Sequence, residues 1–390
     1  MKLHDTVAQF DRDIESTVAG WKEAVFIFGA GKFGKLLRHE LSTYPIQVKF
    51  IDNDSNRIGS VYENTEVISF REYLDNFSSG KIVIAVSAKN LPEIETQLIE
   101  NGLMHRVDYY YYNEFRNRVF PIISTYCYNK SYVPLAQISL TERCTLKCKK
   151  CAHACYAVDH TAQDMTLDEV YRSADVFFSK VDFIQEFVLI GGEPLLYREL
   201  DKAIQYIGSK YRGQMGIFSI TTNGTIIPSE SVLEMCVKYQ VLYRISNYQK
   251  TIPRLKEMHD KLIHELSKYS IEYILGAAEH TWTDYGFDYV DRKASPEELM
   301  RVFDECQTPC REIRGNKFYF CVMARSVSEN LGFPVGEDDY LDMNSLQGEN
   351  YKADLLKFNL GYSKKGYLDM CNFCHGAERK RYLVPAAEQK

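Results

Sequence analysis

Nowhere in its 390 residues does this chain approach the roughly 18 consecutive apolar residues that a membrane-spanning helix needs, which excludes a helical anchor. Long basic runs are missing too. The longest, "RKR" at Arg379, Lys380 and Arg381, is short, and 47 Lys and Arg against 53 Asp and Glu leave a formal charge of −6. Nucleic acid is therefore not the expected main partner, because neutralising phosphates takes clustered cations. There is no internal repeat and no low-complexity tract. The opening "MKLHDTVAQFDRDIE" lacks the apolar region of a signal peptide, so the expected location is cytoplasmic. Eleven cysteines in such a chain are not a disulfide framework, because cytosolic thiols stay reduced and such patterns more often bind metal or do chemistry. With 45% apolar and 26% charged residues the composition is globular, and the length predicts about two or three domains.

Strand and helix patterns alternate along most of the chain, which predicts an α/β protein with parallel sheets. "AVFIF" (residues 24–28), "VKFIDND" and "KIVIAV" (residues 81–86) read as strands, and "KLLRHEL" and "LPEIETQLIENG" as helices, the second closed by Gly102. The tyrosine run Tyr109 to Tyr112 predicts the exit from this first domain, with a boundary near residue 125. From Gln137 the strands "QISL", "FIQEFVLI", "GIFSITT", "LYRIS" and "IEYILG" alternate with helices, enough for a partial (β/α)6 barrel whose functional face is the carboxyl ends of its strands. Capping boxes at Thr166/Glu169 and Ser295/Glu298, the latter with Pro296 in the first turn, fix two helix starts. After Ser295 come a helix, a hairpin "REIRGNKFYFC" turning at Gly315 and Asn316, and "CNFCHG". The expected domains are therefore residues 1–125, 126–295 and 296–390.

Cys144, Cys148 and Cys151 stand at C-x3-C-x2-C directly after the strand "QISL". Zinc would want a fourth ligand, for which His153 or Cys155 is at hand. A ferredoxin cluster wants C-x2-C-x2-C-x3-C, which Cys148, Cys151 and Cys155 match only in its last part. A cluster held by three thiolates would leave one iron open to another molecule. In this context the triad resembles that of the radical S-adenosylmethionine (radical SAM) enzymes. "GGEP" (Gly191, Gly192, Glu193, Pro194) resembles that family's motif for the cofactor's amino group. "TTNG" with Thr222 and Asn223, and "RIS" with Arg244 and Ser246, stand where the family contacts carboxylate and ribose. The resemblance covers roughly residues 134–285. One departure is Lys150, where the family usually has an aromatic residue before the third cysteine.

The resemblance implies a [4Fe–4S] cluster, S-adenosyl-L-methionine, an electron donor such as flavodoxin or ferredoxin, and a small-molecule substrate. It also implies that the reduced cluster passes an electron to the sulfonium, and that a 5′-deoxyadenosyl radical then takes hydrogen from the substrate. Such chemistry is beyond acid–base side chains, so the protein borrows it from a cofactor. Gly191 and Gly192 are expected to let the backbone approach the ligand closely.

Cys306, Cys310, Cys321, Cys371 and Cys374 form a second set, whose paired spacings also suit a zinc ribbon. They resemble the auxiliary iron–sulfur domains of SPASM and twitch type, which implies four thiolates on one further cluster. Five candidates compete for four places, with Cys306 or Cys310 the spare, a thiol that stands beside the ligands or donates hydrogen to a substrate radical. Cys127, Cys155 and Cys236 read as simple packing. His280, Trp282, Asp284 and Tyr285 follow the last barrel strand and are candidates for the substrate pocket, and Cys306, His280, Asp284 and Tyr285 are the catalytic candidates.

Gly29, Gly31 and Gly34 form G-x-G-x-x-G between a strand and a helix, with Asp52 ending the next strand. This is the dinucleotide fingerprint of a Rossmann-like domain, a glycine loop for phosphate and an acid for a ribose hydroxyl. The segment also resembles the amino-terminal domains of bacterial sugar acyltransferases and other polysaccharide-biosynthesis proteins, which implies a nucleotide or nucleotide-sugar ligand. A purely structural or docking role is the other reading. The expected protein is thus an N-terminal Rossmann-like domain, a central radical SAM partial barrel of TIM type, and a small C-terminal cluster-binding domain. Its expected reaction is dehydrogenation or epimerisation of a carbohydrate or nucleotide-sugar in surface-polysaccharide biosynthesis. Maturation of a ribosomally made peptide is the alternative enzyme reading, and a zinc-stabilised binding protein the alternative of another class.

Overall fold

The computed structural model describes residues 7–390 apart from 22–23, 78, 279–280, 288–290, 307, 364 and 377–381. It divides into two compact units that meet in sequence between Lys130 and Ser131. In the first, Val25–Phe28 (β1), Val48–Ile51 (β2), Val61–Tyr62 (β3), Thr65–Ile68 (β4), Lys81–Ile84 (β5) and Tyr109–Tyr111 (β6) form one sheet among the described residues. Its order is β3-β4-β2-β1-β5-β6, parallel except where β3 meets β4. Every residue of β1 is buried, as expected of a central strand covered on both faces.

The tyrosine run is not the exit from this unit. Tyr109, Tyr110 and Tyr111 pair with Ile82, Val83 and Ile84 as an edge strand, because aromatic rings fit a pleated, half-buried surface. The chain then continues into the helix Phe120–Tyr128, which contains the expected boundary at 125. That helix ends at Asn129, whose left-handed backbone (φ 50°) suits an Asn cap.

In the second unit Tyr132–Ser139 (β7), Phe183–Ile190 (β8), Met215–Thr222 (β9), Val241–Ile245 (β10) and Tyr273–Leu275 (β11) are parallel neighbours in chain order. Thr281–Thr283 (β12) stands apart and pairs antiparallel with Leu383–Pro385 (β16). Arg311–Arg314 (β13), Lys317–Tyr319 (β14) and Tyr340–Asp342 (β15) complete a sheet of order β11-β10-β9-β8-β7-β13-β14-β15 among the described residues. Both expected capping boxes form, at Thr166/Glu169 and Ser295/Glu298. Ile138, Leu189, Ile220 and Ile245 on successive strands share one buried core with Val170 and Phe177 of the helix Leu167–Phe178.

The expected division at 295/296 is not where the packing divides. Arg311 pairs parallel with Ala136 of β7, so the sixth parallel strand is β13, on the far side of β7 rather than after β11. Ile313 and Phe318 of the hairpin are wholly buried in the same core as β7 to β10. The hairpin's alternation was readable in sequence, but alternation names a face and not the strand that will pair with it.

A candidate active site with two cysteine groups

The loop that carries Cys144, Cys148 and Cys151 leaves the carboxyl end of β7 and is backed by the turn after β8. The Gly192 N–H donates to the Thr141 carbonyl (2.8 Å) and the Glu193 N–H to the Arg143 carbonyl (2.9 Å). A Cβ at Gly191 would lie 2.2 Å from the Thr141 oxygen, and one at Gly192 2.2 Å from the Arg143 oxygen. The close approach that these glycines allow is thus between two protein backbones, one of them the entry to the cysteine loop. Glu193 is completely buried, and its carboxylate accepts the Leu195 N–H (3.1 Å), the Thr222 hydroxyl (2.8 Å) and the Asn223 N–H (2.8 Å). Burial pushes it up to about 7 against these donors. Glu193, expected among the cofactor contacts, spends its carboxylate on holding the turn after β8 to the end of β9, while Pro194 opens the short 3₁₀ turn that follows.

Asn223 turns back toward the cysteines. Its Nδ2 donates to Thr145 Oγ1 (3.0 Å) and points at Cys144 Sγ (3.6 Å). Its carbonyl accepts from His259 Nε2 (3.0 Å), a fully buried histidine whose Nδ1 faces Gln249 Nε2 (3.1 Å). A carbonyl can only accept, which places the imidazole proton on Nε2. His259 had no sequence signal, being one polar residue on a helix. The Ser246 N–H donates to the Thr222 carbonyl (2.9 Å), so β10 is tied to the same strand ends. Arg244 differs from expectation: its Nη2 donates to Glu186 Oε2 (2.7 Å) and its Nε to Oε1 of the same carboxylate, a bidentate pair already satisfied by protein.

Around the triad the environment is apolar. Cys148 is buried with Leu146, Ile252, Leu255 and Ala387, and Cys144, Cys151, Tyr248 and Trp282 pack against that cluster. Burial pushes the Cys144 thiol up to about 12 and the Cys148 thiol up to about 11, since neither has a charge to stabilise a thiolate. Cys151 moves the other way, below its ordinary value, because its sulfur shares a hydrogen bond with the neighbouring Cys155 thiol. Cys155 is thus a neighbour of the triad rather than remote packing. Lys150 pairs with Asp284 Oδ2 (3.0 Å), which also accepts the Gly286 N–H at Oδ1 (2.9 Å). Burial opposes ionisation of Asp284, yet the Gly286 N–H and Lys150 hold its carboxyl below the usual range.

The second group is sorted by a small pocket lined by Cys306, Cys321, Cys371 and Cys374. Thr308 apart, its other walls are apolar, among them Phe303, Phe320, Met323 and Met370. Burial raises the thiols of Cys321 and Cys371 well above their ordinary value and that of Cys374 to about 12. Cys310 does not line the pocket; Arg311, Glu312 and Glu186 are the charges that act on it. Tyr285 belongs to this second group, packed against its core and stacked on Phe287 (5.7 Å), whereas Asp284 faces Lys150. Trp282, on β12, meets Tyr248 edge to face (5.4 Å), and His280 lies outside the described residues.

In the first unit the glycine-rich turn follows β1. Gly29 has φ +115°, and a Cβ at Gly34 would lie 2.0 Å from the Gly29 oxygen, so both glycines serve a tight strand-to-helix turn. A Cβ at Gly31 would meet nothing within 4 Å. Asp52 Oδ2 accepts the Ala30 N–H (2.9 Å) and Oδ1 the Asp54 N–H (3.0 Å), so the acid expected to meet a ribose braces the glycine turn instead.

Among the described residues no three His, Cys, Asp or Glu side chains converge closely enough to hold a single metal ion, and no helix is long and apolar enough to cross a membrane. A cubane places each thiolate on its own iron, so its ligands stand further apart than those of one ion. Three thiols in one loop, Cys148 buried and Cys144 and Cys151 partly so, and four buried thiols around one apolar pocket, are the donor chemistry that iron–sulfur clusters use.

Residues 138–307 match the family model for the Radical SAM superfamily, so this stretch is similar to a radical SAM domain. Such a domain implies a [4Fe–4S] cluster and S-adenosylmethionine. Among curated proteins, GTP 3',8-cyclase of Stenotrophomonas maltophilia (strain R551-3) is 34% identical over 97 residues, 24% of this chain and 28% of that protein. Molybdenum cofactor biosynthesis protein 1 of Dictyostelium discoideum is 35% identical over 92 residues, 23% of this chain and 14% of that protein. The chain thus matches 28% or less of the length of these two relatives. Among solved structures, native anSMEcpe with bound AdoMet aligns with 66% of this chain and 94% of its own, at 12% identity and a TM-score of 0.40. BtrN in complex with AdoMet and 2-DOIA aligns with 65% of this chain and 100% of its own, at 14% identity and a TM-score of 0.40.

Proposed function

We propose that the protein is a radical SAM enzyme that removes hydrogen from a small polar substrate, with Cys144, Cys148 and Cys151 holding the [4Fe–4S] cluster that engages S-adenosylmethionine. The observation that carries this reading is the way the turn after β8 and the end of β9 are hydrogen-bonded onto the entry to the cysteine loop, through Gly192, Glu193 and Asn223. When bound, the cluster and sulfonium supply a 5′-deoxyadenosyl radical. The chain's own residues position and enclose: Leu146, Ile252 and Leu255 keep water from the thiolates, and Glu193 locks two strand ends in register.

Cys306, Cys321, Cys371 and Cys374 would hold a second, fully ligated cluster of twitch type, which leaves Cys310 as the spare thiol. The first unit reads as a Rossmann-like domain. Since Asp52 is engaged with the glycine turn, a nucleotide or nucleotide-sugar suits it better than a dinucleotide whose ribose needs that acid. A carbohydrate or nucleotide-sugar is therefore our substrate class, with dehydrogenation or epimerisation as the reaction. A second reading, ring closure on a purine nucleotide, is favoured by the similarity to GTP 3',8-cyclase. Iron and acid-labile sulfide in anaerobically purified protein separate the enzyme from a zinc-stabilised binding protein. Incubating the reduced enzyme with sugars, nucleotide-sugars, GTP and peptides, and following 5′-deoxyadenosine, separates the substrates. Failure to cleave S-adenosylmethionine under strong reductant would end the proposal.

A further inference from the structure

Residues 386–390 lie along the cysteine loop as a strap. The Lys149 N–H donates to the Glu388 carbonyl (2.8 Å) and the Lys390 N–H to the Lys147 carbonyl (2.8 Å), which leaves Cys148 opposite Gln389 in an antiparallel bridge. With hydrogen bonds on both sides of the pair and none within it, this is the close type of antiparallel pair, about 4.5 Å between Cα atoms with both side chains on one face. Gln389 Nε2 accordingly donates to Cys148 Sγ (3.2 Å).

The orientation of the Gln389 amide is determined twice. Its oxygen accepts the Lys147 N–H (2.9 Å), a group that can only donate, and its nitrogen donates to the Ala387 carbonyl (2.7 Å), a group that can only accept. Both partners turn the N–H side toward sulfur. The strap is seated on apolar contacts, Ala386 and Ala387 being buried, and Ala387 holds a left-handed backbone (φ 58°) that an alanine adopts at a cost.

We propose that Gln389 is a positioning residue for the first cluster: it donates a hydrogen bond to the Cys148 sulfur, withdraws electron density from that ligand, and so raises the cluster's reduction potential and its grip on iron. Hydrogen bonds to ligating sulfurs are one of the few levers by which a protein sets such a potential, and an uncharged amide uses it without placing a fixed charge in an apolar site. The proposal rests on the reading of Cys144, Cys148 and Cys151 as cluster ligands.

The test uses the full chain reconstituted without oxygen, and follows by redox titration the paramagnetic signal that changes when S-adenosylmethionine is added. Gln389→Glu keeps the shape and the acceptor for Lys147 but removes the donor; Gln389→Met removes both. Each is expected to move the potential to a more negative value, Glu further than Met, and to release iron to a chelator about tenfold faster. Glu388→Ala, which breaks only the surface pair with Lys149 (2.5 Å), is expected to leave the potential where it was. Hydrogen exchange at the Lys149 amide of iron-free protein, slow in the parent and in Gln389→Glu alike, would establish that the strap stays docked. An unchanged potential in Gln389→Glu with the strap docked overturns the role of Gln389, as does an equal shift in Glu388→Ala. A parent protein with no signal that responds to S-adenosylmethionine overturns the cluster reading itself.

Discussion

The Asn223 backbone N–H donates to the Glu193 carboxylate at 2.8 Å, with Glu193 completely buried, and this bond joins the turn after β8 to the end of β9. Because Glu193 is pushed up to about 7 by burial, it links stability to pH. A carboxyl raised in the folded state stabilises the fold fully below its unfolded value of about 4.3, and that contribution is lost as pH rises through the folded value. The denaturant midpoint of iron-free protein is therefore expected to fall between about pH 5 and pH 8. Glu193→Gln should flatten that slope while costing about 1–3 kcal/mol, since its amide must turn a donor toward one of three existing donors. A slope that survives in Glu193→Gln would place its origin elsewhere.

Gly192→Ala would put a Cβ 2.2 Å from the Arg143 oxygen and force the entry to the cysteine loop to shift. The expected result is loss of the S-adenosylmethionine-responsive iron signal with the second cluster's iron retained. Normal iron at both sites would show that the two backbones separate without consequence.

The pocket that sorts the second cysteine group makes Cys306 and Cys310 unequal. Cys306→Ser is expected to lose about half of the bound iron, taking each site as one [4Fe–4S] cluster, whereas Cys310→Ser should keep all of it. Equal losses from both variants would contradict the assignment.

Arg325 is wholly buried, with Nη2 on Glu312 Oε1 (2.6 Å) and Nη1 on Glu142, two residues before Cys144. Arg325→Met would leave buried carboxylates without a counter-charge, at a cost of about 3–5 kcal/mol. Adding Glu312→Gln should recover part of it, since fewer charges are then stranded. Chemical denaturation of the single and double variants measures both, and a single variant within about 0.5 kcal/mol of the parent would refute the argument.

Much of the candidate site was legible along the chain. C-x3-C-x2-C, GGEP and TTNG are local strings, and each stands at a strand end that hydrophobic runs and capping boxes had located. What such strings leave open is which group a side chain will meet. Arg244 and Asp52 carried the expected charges at the expected places, yet each is satisfied by a protein partner, Glu186 in one case and the Ala30 N–H in the other. His259 had no motif at all and Cys155 only the last part of a ferredoxin spacing, yet they lie beside Asn223 and the triad. The tyrosine run misled because aromatic residues mark an edge strand as readily as a domain exit.

By itself the sequence determined the α/β alternation, the helix starts at Thr166 and Ser295, and the loop that brings three thiols to the end of β7, because periodicity, caps and short spacings act over a few residues. Only the tertiary structure decided that β13 would flank β7, that Cys306 rather than Cys310 would join Cys321, Cys371 and Cys374, and that Gln389 would reach Cys148. Those outcomes depend on pairings between residues up to 241 positions apart, and burial chooses among such pairings only once the whole core has formed.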